Sequence, residues 1–112
     1  MLDGLTNNIE RYMDLLSARQ KVVVSNIANA DTPGYKTRDI NFQSEFQSLA
    51  SGSQPNTVEV SNLAARNDGN NVDLDREARL LAENAMRFSL ASNLMKSQIR
   101  IVKEAIQEGK SA

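Results

Sequence analysis

Cysteine, histidine and tryptophan are all absent from this chain of 112 residues. Without cysteine there are no disulfides, thiol nucleophiles or thiolate metal ligands. Without histidine the chain lacks the side chain that most often serves as a general base and as a metal ligand at neutral pH. The sequence also has no apolar run long enough to cross a bilayer. These absences argue against an enzyme, and we expect no cofactor.

Charge is nearly balanced, with 13 basic and 14 acidic residues and a net charge of −1. Nucleic-acid binding needs a clustered basic excess, so we expect no nucleic acid among the partners. Because we expect no enzyme activity, we also expect no small-molecule substrate. The acidic stretch 68–77 places Gly69 second and Glu77 tenth. An EF-hand needs its glycine sixth and its glutamate twelfth. This stretch therefore predicts a turn and a helix cap rather than a metal site.

The helical periodicity of residues 1–30 stops at a short turn signal. Pro33 lacks an amide hydrogen and disfavours helix at Thr32, while Gly34 accepts the positive φ that a type II turn needs at its third position. The sequence therefore predicts a tight turn over residues 32–35 that ends a helix. The turn motif that we single out as a candidate site comprises Asn26, Asn29, Asp31, Thr32, Pro33, Gly34, Tyr35 and Lys36.

Residues 1–30 show the apolar spacing of a coiled coil. One column recurs every seven positions and a second column begins between its members, which is typical of a helix seam. We predict a helix from about Asp3 to about Ala30, roughly 40 Å long. The first column contains Leu2, Ile9, Leu16, Val23 and Ala30, and the second begins with Leu5 and Tyr12.

Two polar residues, Arg19 and Asn26, interrupt the second column. Arg19 could lay its aliphatic stem along the seam and keep its charged end in water. Alternatively, one or both residues could set the register of the helix against a neighbour, as buried polar groups do in some coiled coils. The sequence leaves both alternatives open.

Residues 31–72 are largely polar and lack helical periodicity. Residues 58–60 alternate as a short strand does, residues 51–57 have loop composition, and residues 68–71 form a second turn signal. Four apolar residues could form a short amphipathic turn or strand that docks on a helix, namely Ile40, Phe42, Phe46 and Leu49. So long a segment without regular structure is unusual in a compact domain, and we expect part of it to order only against another chain.

The most regular apolar pattern lies in the last third of the chain. Asp73 is a suitable N-cap and Gly109 a suitable C-cap residue, so we predict a helix over residues 73–108, roughly 54 Å long. Residues 73–112 would form one structural unit with residues 1–30. The apolar positions, four and three apart, are Leu74, Ala78, Leu81, Ala85, Phe88, Ser92, Met95, Ile99, Val102 and Ile106.

A second apolar stripe, which also includes Met86, follows another side of this helix, about 130° from the first. A lone helix pair would leave that stripe in water, and an aligned exposed stripe indicates a binding surface. We therefore predict subunit packing through Leu80, Leu90, Leu94 and Ile101. The intrachain helix seam that we predict comprises Leu5, Ile9, Tyr12, Leu16, Val23, Leu81, Phe88, Met95, Ile99 and Val102.

These patterns predict a mostly α fold, with two long terminal helices paired as a coiled coil and joined by a polar, largely irregular middle with at most short β structure. Residues 25–36 read Ser-Asn-Ile-Ala-Asn-Ala-Asp-Thr-Pro-Gly-Tyr-Lys, and residues 38–42 read Arg-Asp-Ile-Asn-Phe. Together they closely resemble the N-terminal signature of the bacterial flagellar axial proteins, the rod, hook and hook-associated family. Residues 69–77 also resemble rod proteins of that family.

The resemblance implies an antiparallel helix pair in the inner layer of a hollow helical tube. It implies a structural subunit that joins the proximal rod to the base of the motor and transmits torque. The implied partners are other copies of the chain, related rod proteins, and the rod–ring adaptor protein and export gate at the base. The implied location is the periplasmic rod of the basal body, reached through the flagellar type III apparatus. The first residues lack a basic region followed by an apolar one, so we expect no cleaved signal peptide.

Two other classes of function remain open at the level of the sequence. A soluble helical adaptor or export chaperone would use the same apolar repeats in a closed bundle, with helicity that does not depend on concentration. An enzyme would need catalytic carboxylates, because histidine and cysteine are absent.

Overall fold

The computed structural model describes residues 2–48 and 55–111 of the chain. It is mostly helical, with two long terminal helices and a short middle that contains small strands, which confirms the predicted fold class. The expected docking residue Leu49 and the loop residues 51–54 lie outside the described residues. In chain order the elements are α1 (Leu2–Ala28), β1 (Arg38–Ile40), α2 (Phe42–Ser48), β2 (Thr57–Glu59) and α3 (Leu74–Ser111).

The two long helices, α1 and α3, pack side by side in opposite directions. Near one end, the side-chain amide of Asn26 donates to the Glu77 carboxylate at 3.2 Å. Further along, the side-chain amide of Asn84 donates to the carbonyl oxygen of Leu16 at 2.8 Å. Residue numbers fall along α1 as they rise along α3, so the pair is antiparallel.

The helix α3 extends beyond the helix that it packs against. It has 38 residues and α1 has 27, which correspond to roughly 57 Å and 40 Å. Because Ile9 of α1 and Ala91 of α3 line the same groove, the first residues of α1 lie level with about residue 99 of α3. The last turns of α3 therefore have no α1 residue opposite them, and the molecule measures 72 × 27 × 18 Å.

The side of α3 that faces α1 differs from the predicted seam. The column centred on the contact is Glu77, Asn84 and Ala91, all buried and seven apart. The predicted seam residues Phe88 and Ile99 lie on one flank of this column and are 40% and 50% exposed. The apolar pattern indicates the most hydrophobic column, whereas the real contact uses polar residues whose hydrogen bonds cross to α1.

On α1 the predicted column Ile9, Leu16 and Val23 is buried, but Leu5 is exposed. Leu15, which the seven-residue spacing does not include, has no exposed surface. It lies on the side of α1 that faces the middle of the chain rather than α3, so the helix is covered on two sides.

The middle of the chain folds back against α1. The strands β1 and β2 pair antiparallel, with Asp39 opposite Val58, where the sequence predicts a strand at residues 58–60. The helix α2, predicted only as an amphipathic turn or strand, packs Phe42 and Phe46 edge-on against Tyr12, with ring centroids 5.4 Å and 6.3 Å away. Over the residues that the structure describes, no helix is both long and apolar enough to cross a membrane.

Candidate functional site: a joint of two turns and the exposed flanks of the long helix

The predicted turn closes directly after α1. The amide of Tyr35 donates to the carbonyl oxygen of Thr32 at 3.2 Å, and Gly34 has a φ of 75°, as the third position of a type II turn requires. The helix α1 ends at Ala28, two residues before the predicted end at Ala30. The amide of Asn29 still donates to the carbonyl oxygen of Ser25, four residues back, but the amide of Ala30 donates to Ile27, three residues back, so the last turn tightens there. The side-chain amide of Asn29 also donates to the carbonyl oxygen of Ser25, at 2.8 Å.

A second turn, at residues 66–71, packs against the first. The amide of Gly34 donates to the carbonyl oxygen of Asp68 at 2.9 Å. Gly69 has a φ of 86°, and a Cβ added there would lie 3.4 Å from the Cα of Gly34. Both glycines are required by their positive φ, and their backbones approach closely. We call this pair of turns the joint.

Two asparagines of the second turn tie the joint together. The buried side-chain amide of Asn70 donates to the carbonyl oxygens of Asn29 and Thr32, both at 2.9 Å. The side-chain oxygen of Asn71 accepts the amide of Thr37 at 2.7 Å. The chain therefore leaves α1 and enters α3 through one hydrogen-bonded unit.

Two basic side chains close the edge of the joint. Lys36 donates to the carbonyl oxygen of Gly69 at 2.5 Å, and the guanidinium of Arg66 donates to the carbonyl oxygen of Ala30. Each cation thus binds a main-chain carbonyl across the gap between the turns. The remaining members of the predicted turn motif, Asp31 and Pro33, are exposed.

Asn26 connects the joint to both long helices. Its side chain is 0% exposed, and all of its hydrogen-bonding groups have partners. Its amide donates to the Arg38 carbonyl oxygen at 2.8 Å and to the Glu77 carboxylate at 3.2 Å. Its oxygen accepts the Tyr35 hydroxyl at 2.9 Å and the Arg38 amide at 3.2 Å. One side chain thereby links α1, the turn, β1 and α3.

A network of charged side chains continues from Asn26 across the molecule. Arg19 binds Asp39 through two nitrogens, each at 3.1 Å. Arg76 binds Asp39 at 2.7 Å and Glu77 at 2.6 Å. Arg19 therefore reaches the strand β1 in its own chain, rather than leaving its charged end free in water.

The Asp39 carboxylate, at the centre of this charged network, is held in its ionised form. Burial by itself raises the pKa of Asp39, but hydrogen bonds from Arg19, from the Ile40 amide and from Arg76 outweigh it. The net effect is a pKa below the ordinary value of the carboxyl group. Asp39 is therefore a negative charge balanced by two cations.

Several members of this network carry no signal in the pattern of the sequence. Asp39 and the pair Arg76 and Glu77 lie within the two stretches that carry the family resemblance, but no periodic pattern singles them out. Asn70 occurs in a turn signal, which predicts where the chain bends and not which side chain is buried. These residues become partners only because the second turn is folded against the first.

Two grooves flank the contact between α1 and α3. The larger has a volume of about 510 Å³ and is lined by α1 and α3 alone, with Leu16 and Gln20 on one helix and Phe88 and Ser92 on the other. The smaller, of about 250 Å³, lies on the opposite side, where α2 contributes Phe46. The middle of the chain thus covers one flank of the helix pair and leaves the other open.

The residues predicted for subunit packing lie along the flank that α2 partly covers. Leu90 is 71% exposed, Leu94 and Ile101 are also exposed, and Leu80 is half-buried. Among the other predicted seam residues, Tyr12, Leu81, Met95 and Val102 are half-buried. Apolar surface therefore remains on both flanks of α3.

Comparison with known proteins identifies the class. Residues 13–36, which include the end of α1 and the first turn, match the family model described as "Flagella basal body rod protein". This is the segment that holds Arg19, Asn26 and the turn, so the match falls on the α1 side of the joint.

Relatives that align over most of the chain identify the family. The chain is 30% identical to the flagellar basal body rod protein FlgB of Escherichia coli K12, with 96% of each chain covered. It is 32% identical to FlgB of Yersinia enterocolitica over 96% of this chain and 97% of that protein. For FlgB of Borrelia hermsii the identity is 32%, over 87% and 91%. The chain belongs to the FlgB family of flagellar basal body rod proteins, which are structural components of the rod.

The homologues are structural rod proteins and not enzymes. Within residues 2–48 and 55–111, no three acidic side chains are grouped so that they could hold a metal ion. The candidate site is the joint of two turns together with the exposed apolar flanks of α3.

Proposed function

We propose that this chain joins the proximal rod to the base of the flagellar motor and transmits torque through its paired terminal helices. The observation that carries the proposal is the apolar surface on both flanks of α3, which one α1 helix leaves uncovered. Leu90, Leu94 and Ile101 on one flank, and Phe88 and Ile99 on the other, are all exposed. Full burial of such side chains stabilises a contact by about 1.5–3 kcal/mol each.

The joint would set where the chain leaves the inner helical layer. Hydrogen bonds on both sides of the two turns fix the ends of α1 and α3 relative to each other, so a load applied to one helix reaches the other through Asn26 and Glu77. The middle of the chain would then lie outside the helical layer. There it would contact neighbouring subunits, and part of it would order only on that contact.

The partners that we propose are other copies of this chain, related rod proteins, and the rod–ring adaptor protein and export gate at the base. We also propose a location in the periplasmic rod, reached by type III export without a cleaved signal peptide. This proposal rests on membership in the FlgB family and on the exposed flanks, which suit an assembly better than a closed bundle.

Replacing Leu94 by Asp tests the proposal. The intrachain helix pair should persist, because Leu94 is 45% exposed and lies in the groove at the edge of the helix contact, whereas packing against a neighbour should fail. We expect isolated basal bodies to lack the chain and the cells not to swim. The matched control is Ala82→Asp, which adds the same charge at another exposed position of α3 and should assemble. Normal rods and swimming in the Leu94→Asp strain would contradict the proposal.

A further inference from the structure

The last third of α3 carries opposite charges on its two flanks. Lys96 and Lys103 lie on the flank of Ile99 and Ile106, at positions three and four apart that share one side of a helix. Glu104 and Glu108 lie on the flank of Ile101, again three and four apart. We call these surfaces the basic side and the acidic side.

Both sides combine charge with exposed apolar surface. Ile106 on the basic side is 53% exposed, and Ile99 and Ile101 are exposed to a similar extent. All four charged residues are exposed, and Arg100, which is also exposed, lies between the two sides, four residues after Lys96 and four before Glu104. Because α1 begins level with about residue 99, little of the helix pair covers this part of α3. Each side thus has an apolar centre and a charged rim, as protein interfaces do.

We propose that neighbouring copies of this chain meet through these two surfaces, with the basic side of one α3 against the acidic side of the next. This inference rests on the proposed function and adds which surfaces meet. The partner is a second copy because the complementary charges occupy the same stretch of one helix. Copies that stand side by side with little axial shift bring Lys103 close to Glu104 of the neighbour.

The charges determine which side of one copy faces which side of the next. A two-fold contact of two basic sides would oppose Lys96 and Lys103 to themselves, and like charges placed face to face disfavour such a pairing. A contact between unlike sides leaves one free side on each copy. Such a non-reciprocal contact continues into a ring or an open helix and does not stop at a dimer.

Site-directed crosslinking tests the contact, and the chain has no cysteine of its own to interfere. Ser92→Cys places a thiol on the basic flank, one turn before Lys96, and Ser97→Cys places one on the acidic flank, one turn before Ile101. Both changes are nearly isosteric. Cells that express the two single variants together should yield dimers crosslinked by a short bis-maleimide in isolated basal bodies. Cells that express either variant alone should not.

Two crosslinking results would overturn the inference. Dimers from Ser92→Cys alone or Ser97→Cys alone would indicate a two-fold contact. No dimer from the mixture, although both variants are present in the basal bodies, would show that these sides do not meet. In the second case the chain would still be a rod component, so the two proposals fail separately.

Charge reversal provides a second test. The variants K96E/K103E and E104K/E108K each place like charges on both sides, so each should assemble poorly when it is the only copy in the cell. Co-expression should restore swimming, because each variant then finds its complement. The control D14K/K21E exchanges exposed charges on α1 and should assemble alone. Normal swimming of either double variant alone, or no restoration on co-expression, would contradict the inference.

Discussion

Asn26 shows how one residue can connect elements that are distant in sequence. The seven-residue pattern presents it only as an interruption of an apolar column. In the folded chain it is fully buried and bonded to Tyr35, Arg38 and Glu77. A satisfied buried polar group of this kind specifies one arrangement of its neighbours, because every alternative leaves a buried group without a partner.

Replacing Asn26 by Ala should destabilise the chain by about 3 kcal/mol, because buried groups left without partners cost about 1–3 kcal/mol each. The Glu77 carboxylate and the Arg38 amide would lose partners. Thermal melting followed by circular dichroism at fixed chain concentration measures the effect. Asn93→Ala, at an exposed position of α3, is the matched control and should change stability by less than about 0.5 kcal/mol. Equal melting of the two variants would contradict this role for Asn26.

Asp39 makes stability depend on pH in a defined direction. Its pKa is lowered in the folded chain, so it adds stability above the ordinary carboxyl pKa of about 4 and loses that contribution as pH falls through the folded pKa. Asp39→Asn should therefore lower the melting temperature at pH 7. The difference in melting temperature between this variant and the unmodified chain should become smaller as the pH falls below about 4. Glu59→Gln, at an exposed position of β2, should show no such trend.

At the scale of elements, the turn is the part for which sequence reasoning and structure agree most closely. Pro33 and Gly34 act through backbone geometry, which depends on local residues alone. The approach of Gly69 to Gly34 adds a second constraint that depends on the packing of the two turns. Gly34 is therefore glycine for a local reason, whereas Gly69 has both a positive φ and a close neighbour.

Replacing Gly34 by Ala should cost about 1 kcal/mol or more, because an L-residue is strained at a φ of 75°. Gly4→Ala is the matched control, since Gly4 lies inside α1 with open space around it. That change should be neutral or stabilising by up to about 1 kcal/mol. Melting temperatures at one concentration compare the two, and a Gly34→Ala variant as stable as Gly4→Ala would contradict the strain argument.

The contact between the long helices is the element-scale feature that sequence reasoning located least well. The apolar repeat of α3 indicates Leu81, Phe88 and Met95, whereas α1 packs on the column of Glu77, Asn84 and Ala91 between the two apolar stripes. Each stripe is covered only in part. Two incompletely covered stripes favour assembly more directly than one fully buried seam would.

At the scale of the whole molecule, an elongated pair of helices with two exposed flanks should be incompletely helical when isolated, with the joint folded and the ends of the long helices frayed. We expect circular dichroism of the purified chain to show helicity that rises with concentration, because only neighbours cover the remaining apolar surface. The fold class is mostly α for either result, because a rod subunit and a closed bundle would use the same helices. High helicity that is independent of concentration would instead favour a closed bundle and contradict the rod subunit.

Features that depend only on neighbours along the chain can be predicted from the sequence. These are the two long helices, the turn at Pro33 and Gly34, and the second apolar stripe, since periodicity and backbone preference are local properties. The helix ends differ from the prediction by at most three residues, as frayed and capped ends usually do.

The side of α3 that meets α1 and the polar residues that form the joint depend on tertiary packing and cannot be predicted from local pattern. The residues of the joint and its network are far apart in sequence, among them Asn26, Asp39, Asn70 and Glu77. Each stabilises the fold only when its hydrogen-bond or ion-pair partners are in place. Hydropathy treats such residues as surface, because it counts the cost of burying a polar group and cannot count the hydrogen bonds that offset it. The helices follow from local pattern, and the joint follows from partners that only the fold brings together.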